Sequence, residues 1–169
     1  MSATDLTRLL NLRDAGAVVR YHTARMQRSQ NLAEHSYGVA MIILHVSPHC
    51  SKRVLEAALY HDLSEAATGD LPAPAKWNNP ALGHVLSEIE RQYDRTHGLD
   101  IDLNDTERHL LKWADMFELV LWCREEYKLG NQYARTIMDR GINYLQNELG
   151  PCSPEAAQLL FKLIQGVKE

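Results

Sequence analysis

Excess positive charge, long apolar runs and cysteine pairs are all missing from this chain, and each absence narrows what it can be. With a formal net charge of −4 and a pI near 6.1, it has no general attraction to nucleic acid or anionic membrane, so neither is expected as a partner. The longest apolar run, Val39–Val46, is far too short to span a bilayer and contains His45. The opening residues, MSATDLTRLL, lack the basic start and apolar segment of a secretory signal. Cys50, Cys123 and Cys152 are an odd number with no CxxC spacing, which reads as reduced thiols in a cytoplasm. There is no P-loop, no GxSxG elbow and no paired nucleophilic cysteine. Val, Ile, Thr and aromatic residues never alternate at period two for long, so no sheet is expected. No internal repeat or low-complexity segment interrupts the 169 residues, a length that suits one domain with a real core.

What the chain does have is helical periodicity. Residues 3–14 predict a first helix, with Ser2 or Thr4 as N-cap and Leu6, Leu9, Leu10 and Leu12 as its apolar face; Gly16 interrupts it. The following AVVRYHTARMQRSQN is polar and weakly periodic, a loop or a short irregular helix. Its Arg20, Arg25 and Arg28 fit either a solvated basic stretch or an anion-binding loop, since guanidinium groups grip phosphate at two points. Glu34-His35-Ser36 opens a helix with Val39, Ala40, Ile42, Ile43 and Val46 as core face, ended by Ser47-Pro48; Ser51 caps the next. Pro80–His97 forms another, with Leu82, Val85, Leu86, Ile89 and Tyr93 on one side and Gly98 closing it. Asn104 or Asp105 caps a long helix to about Lys128, burying Leu110, Leu111, Ala114, Phe117, Leu121 and Trp122. After Leu129-Gly130, a helix over about Gln132–Leu149 precedes Gly150-Pro151, and Ser153-Pro154 starts a last one to about Gly166. The expected fold is all-α, one compact domain of about six to eight helices.

The chemistry concentrates in Leu55–Trp77, LEAALYHDLSEAATGDLPAPAKW. Leu55, Ala58, Leu59 and Leu63 recur at helical steps, so the expectation is one amphipathic helix stopping near Thr68-Gly69. Pro72 and Pro74 make Asp70–Trp77 a stiff loop that holds Asp70 and Lys76 near the end of that helix. Glu65 lies one turn beyond His61-Asp62, so all three can face one space. An imidazole beside a carboxylate on an apolar helix is costly unless something compensates the charge, and a bound cation would. Taken singly, His35 reads as a capping or core histidine and Asp115 as a surface residue. Together, His35, His61, Asp62 and Asp115 form a mixed nitrogen and oxygen set suited to one divalent ion such as cobalt, zinc or manganese.

The motifs EHS at Glu34–Ser36, YHDLSEAATGDLPAPAKW at Tyr60–Trp77 and KWAD at Lys112–Asp115 resemble the HD-domain metal-dependent phosphohydrolases. Within that superfamily the chain is similar to bacterial 5′-deoxynucleotidases and short phage dATP triphosphohydrolases, over roughly Arg20–Glu126. The resemblance implies a single HD-domain bundle over residues 1–169, with a metal-site core at about 20–126 and C-terminal helices at 131–169. It makes His35, His61, Asp62 and Asp115 the metal ligands and Glu65 the catalytic acid. Asp70 joins the catalytic set and falls at the deoxyribose contact. Arg20 and Lys76 fall at phosphate-binding positions. Tyr21 stands where relatives often carry Trp beside the nucleotide, and with Thr23 it is expected to crowd the purine edge.

The compact spacing between Asp62 and Asp115 is more like the phage enzymes. The first expectation is therefore a dATP triphosphohydrolase that releases the phosphate chain and leaves deoxyadenosine, in a host cytoplasm if phage-encoded. The alternatives are a 5′-deoxynucleotidase acting on monophosphates and a non-catalytic nucleotide-binding HD module. The resemblance also implies a homo-oligomer, a dimer or a hexamer.

Overall fold

Two asparagines fix where the two central helices begin. Asn31 Oδ1 accepts from the Glu34 amide at 2.9 Å while Glu34 accepts from the Asn31 amide at 3.1 Å. Asn104 and Glu107 repeat this reciprocal cap at 2.9 and 3.0 Å. The computed structural model describes residues 3–166, and for 3–5, 73, 74 and 77 the backbone alone. Among these, eight α-helices and a short ribbon follow in order: α1 (Ala3–Ala15), β1 (Val19–Arg20), β2 (Gln30–Asn31), α2 (Leu32–Val46), α3 (Lys52–Tyr60), α4 (Ala73–Asn78), α5 (Pro80–His97), α6 (Asp105–Lys128), α7 (Tyr133–Tyr144) and α8 (Pro154–Gln165). A 3₁₀ turn at Leu63–Ala67 follows α3, and a π-helical turn at Leu145–Leu149 extends α7. None of these helices is long and apolar enough to cross a membrane.

The bundle is organised around α6. Val39, Ile42, Ile43 and Val46 of α2 share one core with Trp113, Ala114, Phe117 and Val120 of α6, joined by Val54 and Ala58 of α3, Met138 of α7 and Leu160 of α8. Trp113 and Phe117 stack with ring centroids 4.6 Å apart. Each fully buried side chain of this kind contributes roughly 1.5–3 kcal/mol, against about 1 kcal/mol for a cap. The core therefore sets stability and the caps set register. Cys50, Cys123 and Cys152 are all free thiols.

Four sequence expectations need correction. First, a sheet does exist, a two-residue antiparallel ribbon pairing Val19 with Asn31 and Arg20 with Gln30, too short to show an alternating pattern. Second, the helix carrying Leu55 and Ala58 ends at Tyr60, so His61-Asp62 lies at a break rather than within a helix. Asp62 sits in the bridge region at φ −112°, ψ 2°, and the 3₁₀ turn continues the apolar spacing closely enough that periodicity cannot see the change. Third, Asp70–Trp77 is not all loop. Pro72 caps α4 and Pro74 occupies its first turn, where a missing N–H leaves no bond unmade. Fourth, the stripes on α1 and α5 face outward. Leu6, Leu9 and Leu10, and Leu82, Val85 and Ile89, are exposed, as is Leu59, while Leu86 is buried. Leu12 and Tyr93 pack on a small second cluster of Ala15, Leu63 and Leu99. Of the expected first caps, Ser2 and the Thr4 side chain lie outside the described residues.

The arginine-rich segment between β1 and β2 is tied to α6. The Glu126 carboxylate, fully buried, accepts from the Gln27 amide at 2.7 Å, the Arg28 amide at 3.2 Å, Arg28 Nε at 3.0 Å and Asn131 Nδ2 at 2.8 Å. Arg28 also pairs with Glu125 at 3.0 Å and lies over the Trp122 ring at 4.1 Å. Arg25 donates to the Tyr133 hydroxyl at 3.1 Å. Of the three arginines, Arg20 alone turns toward the HD pair, 2.7 Å from Asp62. Glu126→Ala strands these donors, so we expect a loss of about 2–4 kcal/mol in urea unfolding with the m-value unchanged. Glu126→Gln, which keeps one acceptor oxygen, should lose clearly less.

Candidate metal centre

Three elements deliver the donor atoms. The capped first turn of α2 supplies His35, the break after α3 supplies His61 and Asp62, and the middle of α6 supplies Asp115. His35 Nε2 lies 3.6 Å from Asp62 Oδ2 and 3.3 Å from Asp115 Oδ1. His61 Nε2 lies 3.3 Å and 4.0 Å from the same two oxygens. The ligating atoms of His35, His61 and Asp62 all fall within 4.8 Å of one another. Two donors each about 2.0–2.2 Å from one ion, at tetrahedral or octahedral positions, stand roughly 3.0–3.5 Å apart. The three spacings of 3.3–3.6 Å suit a small divalent cation, and the His61–Asp115 gap of 4.0 Å is wider.

The outer nitrogens of both imidazoles are already engaged. His35 Nδ1 is 2.5 Å from Glu118 Oε2, and His61 Nδ1 is 3.0 Å from the Ala58 carbonyl oxygen. In the neutral ring each contact holds the remaining proton on Nδ1 and turns the Nε2 lone pair inward. Both Nε2 atoms are buried without a hydrogen-bond partner, which is the state of a nitrogen shaped to hold a cation. This His, His and Asp cluster can coordinate a divalent metal ion. Asp115 is the candidate fourth donor; its other oxygen accepts from Lys112 Nζ at 3.0 Å.

Titration behaviour follows from the same packing. Burial alone would lower the His61 imidazole, but Asp62 and Asp115 outweigh it and push it up to about 9. Burial would raise Asp62, yet His61, Arg20 and His35 hold it well below the usual carboxylate range. Burial likewise opposes ionisation of Asp115, and His35, Lys112 and His61 overcome it. Glu65 goes the other way. Burial, reinforced by Asp62 and Asp70, pushes its carboxyl up to about 8, only partly offset by Arg20 and Lys76. It is buried, and its Oε2 has no partner. At neutral pH such a group carries a proton to give.

The remaining sequence candidates are placed less directly. Tyr21 holds a left-handed backbone at φ 58°, rare for an aromatic residue, and its amide donates to Asp70 Oδ2 at 2.9 Å. The Tyr21 hydroxyl is buried without a partner, while Thr23 is exposed. Lys76 on α4 lies 3.7 Å from Glu90 of α5. Sequence reasoning missed Glu118, a buried carboxylate one turn beyond Asp115, and Gln30, whose Nε2 donates to it at 2.8 Å. The available signal was a charged residue inside the apolar run Phe117-Glu118-Leu119 on a helix already known to carry a ligand candidate.

The model of the 5′-deoxynucleotidase YfbR-like family matches residues 9–101, a span holding every residue singled out from the sequence for the site except Asp115. A 5′-deoxynucleotidase from Yersinia pestis (strain Pestoides F) is 32% identical over 136 residues, covering 66% of this chain and 69% of the relative. The chain belongs to the 5′-deoxynucleotidase YfbR-like family. A 5′-deoxynucleotidase of Yersinia pseudotuberculosis serotype O:1b (strain IP 31758) matches to the same extent. In fold, the chain is similar to the cyanophage S-2L HD phosphohydrolase DatZ bound to dA and one catalytic Zn²⁺ ion, with TM-score 0.70, 24% identity and coverage of 94% and 95%. It is also similar to an HD-domain phosphohydrolase from Listeria innocua, with TM-score 0.66, 19% identity and coverage of 97% and 98%. The protein is thus an HD-domain phosphohydrolase with metal-assisted chemistry.

A proton held on His61 up to about pH 9 must leave before Nε2 can bind a metal. Metal affinity is therefore expected to climb as pH rises from 6 to 8, by up to about tenfold per unit for each proton displaced. Chelator competition at pH 6, 7 and 8 measures this, and a flat profile would contradict the assigned protonation.

Proposed function

We propose that the chain is a metal-dependent 5′-deoxynucleotidase that hydrolyses deoxynucleoside monophosphates to deoxynucleoside and phosphate. The observation that carries this reading is the family match across residues 9–101, which takes in Arg20, His35, His61, Asp62, Glu65, Asp70 and Lys76. His35, His61, Asp62 and Asp115 are proposed as the metal ligands. The bound ion would lower the pKa of its water and neutralise phosphoryl charge. Arg20, at 2.7 Å from Asp62, stands beside the place where that phosphoryl group would lie. Its guanidinium can grip two phosphate oxygens as charge grows on them, with Lys76 as a second cation. Glu65, protonated at neutral pH, gives its proton to the departing 5′-oxygen. Asp70 holds the Tyr21 amide through one oxygen and has the other to accept from the sugar hydroxyl. Tyr21 and Thr23 remain the proposed wall beside the base.

The monophosphate reading over dATP rests on the family match and on the 5′-deoxynucleotidase relatives. Of the arginines in this segment, Arg28 is held by Glu125 and Glu126, and Arg20 is the one beside the HD pair. The likeness to DatZ, at 24% identity, supports the fold and not that enzyme's substrate.

Two measurements test the proposal. Glu65→Ala should retain metal and nucleotide while kcat falls by roughly 10²–10⁴-fold, the scale of acid–base assistance; wild-type turnover in this variant would remove Glu65 from the mechanism. A panel of dAMP, dGMP, dCMP, dTMP and dATP, scored for released phosphate, triphosphate and nucleoside, should show the monophosphates as the better substrates by kcat/KM. Triphosphate release from dATP at a higher kcat/KM than any monophosphate would give the assignment to a triphosphohydrolase. A homo-oligomer is proposed as well, and light scattering that returns a monomer at every concentration would refute it.

A further inference from the structure

The reaction leaves one buried charge unexplained. Glu118 is 8% exposed, lies one turn beyond Asp115 on α6, and touches neither the space between the Nε2 atoms nor solvent to any extent. Its Oε2 is 2.5 Å from His35 Nδ1 and its Oε1 accepts from Gln30 Nε2 at 2.8 Å. A buried carboxylate is costly without donors; here both oxygens have one. The third wall is α2. Gly38, one turn beyond His35, faces the carboxylate so closely that a Cβ there would lie 2.8 Å from Glu118 Cγ. Strand β2, helix α2 and helix α6 thus close on one carboxylate and leave only a glycine's room beside it.

The two candidate ligand histidines are not supported alike. His61 rests its Nδ1 on a neutral carbonyl, whereas His35 rests on a carboxylate. A carboxylate on the far nitrogen locks the tautomer, fixes the ring plane and makes the inner nitrogen a stronger donor. Glu118 is not itself placed to bind the ion, because it lies on the Nδ1 edge of the ring while Nε2 faces Asp62 and Asp115. We propose that Glu118 is a positioning residue of the metal centre: it sets the tautomer and orientation of His35, with Gln30 and Gly38 holding its carboxylate in place. The proposal rests on the reading of His35 as a metal ligand.

The test uses the full chain as purified, stripped of metal, with Zn²⁺ affinity from chelator competition and ¹⁵N NMR of selectively labelled histidine in the metal-free protein. The His35 signals are those absent from His35→Ala. Recorded at a pH high enough for the ring to be neutral, wild type should show His35 as the Nδ1–H tautomer. Glu118→Ala should bind Zn²⁺ about 10–100-fold more weakly and show mixed His35 tautomers. Glu118→Gln keeps an acceptor oxygen without the charge, so it should keep the tautomer and recover part of the affinity. Full wild-type affinity and tautomer in both Glu118 variants would overturn the proposal while leaving the metal centre standing. Unchanged affinity in His35→Ala would instead overturn the ligand reading itself, and the Glu118 proposal with it. Where Glu118→Ala does not unfold cooperatively, Glu118→Gln decides alone: weaker binding with the tautomer kept supports the role, and wild-type affinity refutes it.

Discussion

Two imidazoles, each with its inward nitrogen 3.3–4.0 Å from the carboxylates of Asp62 and Asp115 and mostly out of water, are the constraint on which the rest of this structure depends. Such a cluster is unfavourable unless every charge has a counterpart. Arg20 answers Asp62, Lys112 answers Asp115, and Glu118 and the Ala58 carbonyl answer the outer nitrogens of the histidines. The pair of inward nitrogens faces Asp62 and Asp115 without a hydrogen bond to either. The fold completes the outer half of the site and leaves the inner half for a cation.

The elements are arranged to meet that demand. The reciprocal Asn31 and Glu34 cap fixes the first turn of α2, and His35 is the next residue. The α-to-3₁₀ change after Tyr60 turns Asp62 away from a helical course, toward Arg20 and the imidazoles. Asp115 and Glu118, three residues apart on α6, reach opposite edges of the same His35 ring. One ring thereby links the two central helices through polar contacts, in addition to the apolar core they share.

The helices that carry this site were legible in the sequence, because their starts and stops depend on local chemistry. Asn104, Gly98, Gly130 and Ser153 each stand at the boundary that composition suggests. The candidate residues His35, His61, Asp62, Asp115 and Arg20 were legible as motifs, and the fold places them side by side. The break at His61 was not, because apolar spacing runs on smoothly from α3 into the 3₁₀ turn. The outward stripes of α1 and α5 were not either, since periodicity shows that a helix has an apolar face and not whether anything covers it. Glu118 and Gln30 escaped for a third reason. A charge inside an apolar run marks Glu118 as unusual, but its partners are found only where β2, α2 and α6 meet, and no local pattern names them.

The segment after Arg20 is fastened at both ends, by Asp70 on the Tyr21 amide and by Glu126 on the amides of Gln27 and Arg28. Its backbone is thus ordered before any ligand arrives. Were Arg20 to grip a phosphate as proposed, its main chain would have little freedom left to surrender, and the side chain's own rotamers would chiefly oppose the grip. Preorganisation of this kind favours slow release over fast capture, and it would tie the strength of any phosphate binding by Arg20 to the carboxylates of Asp70 and Glu126, which fasten the backbone.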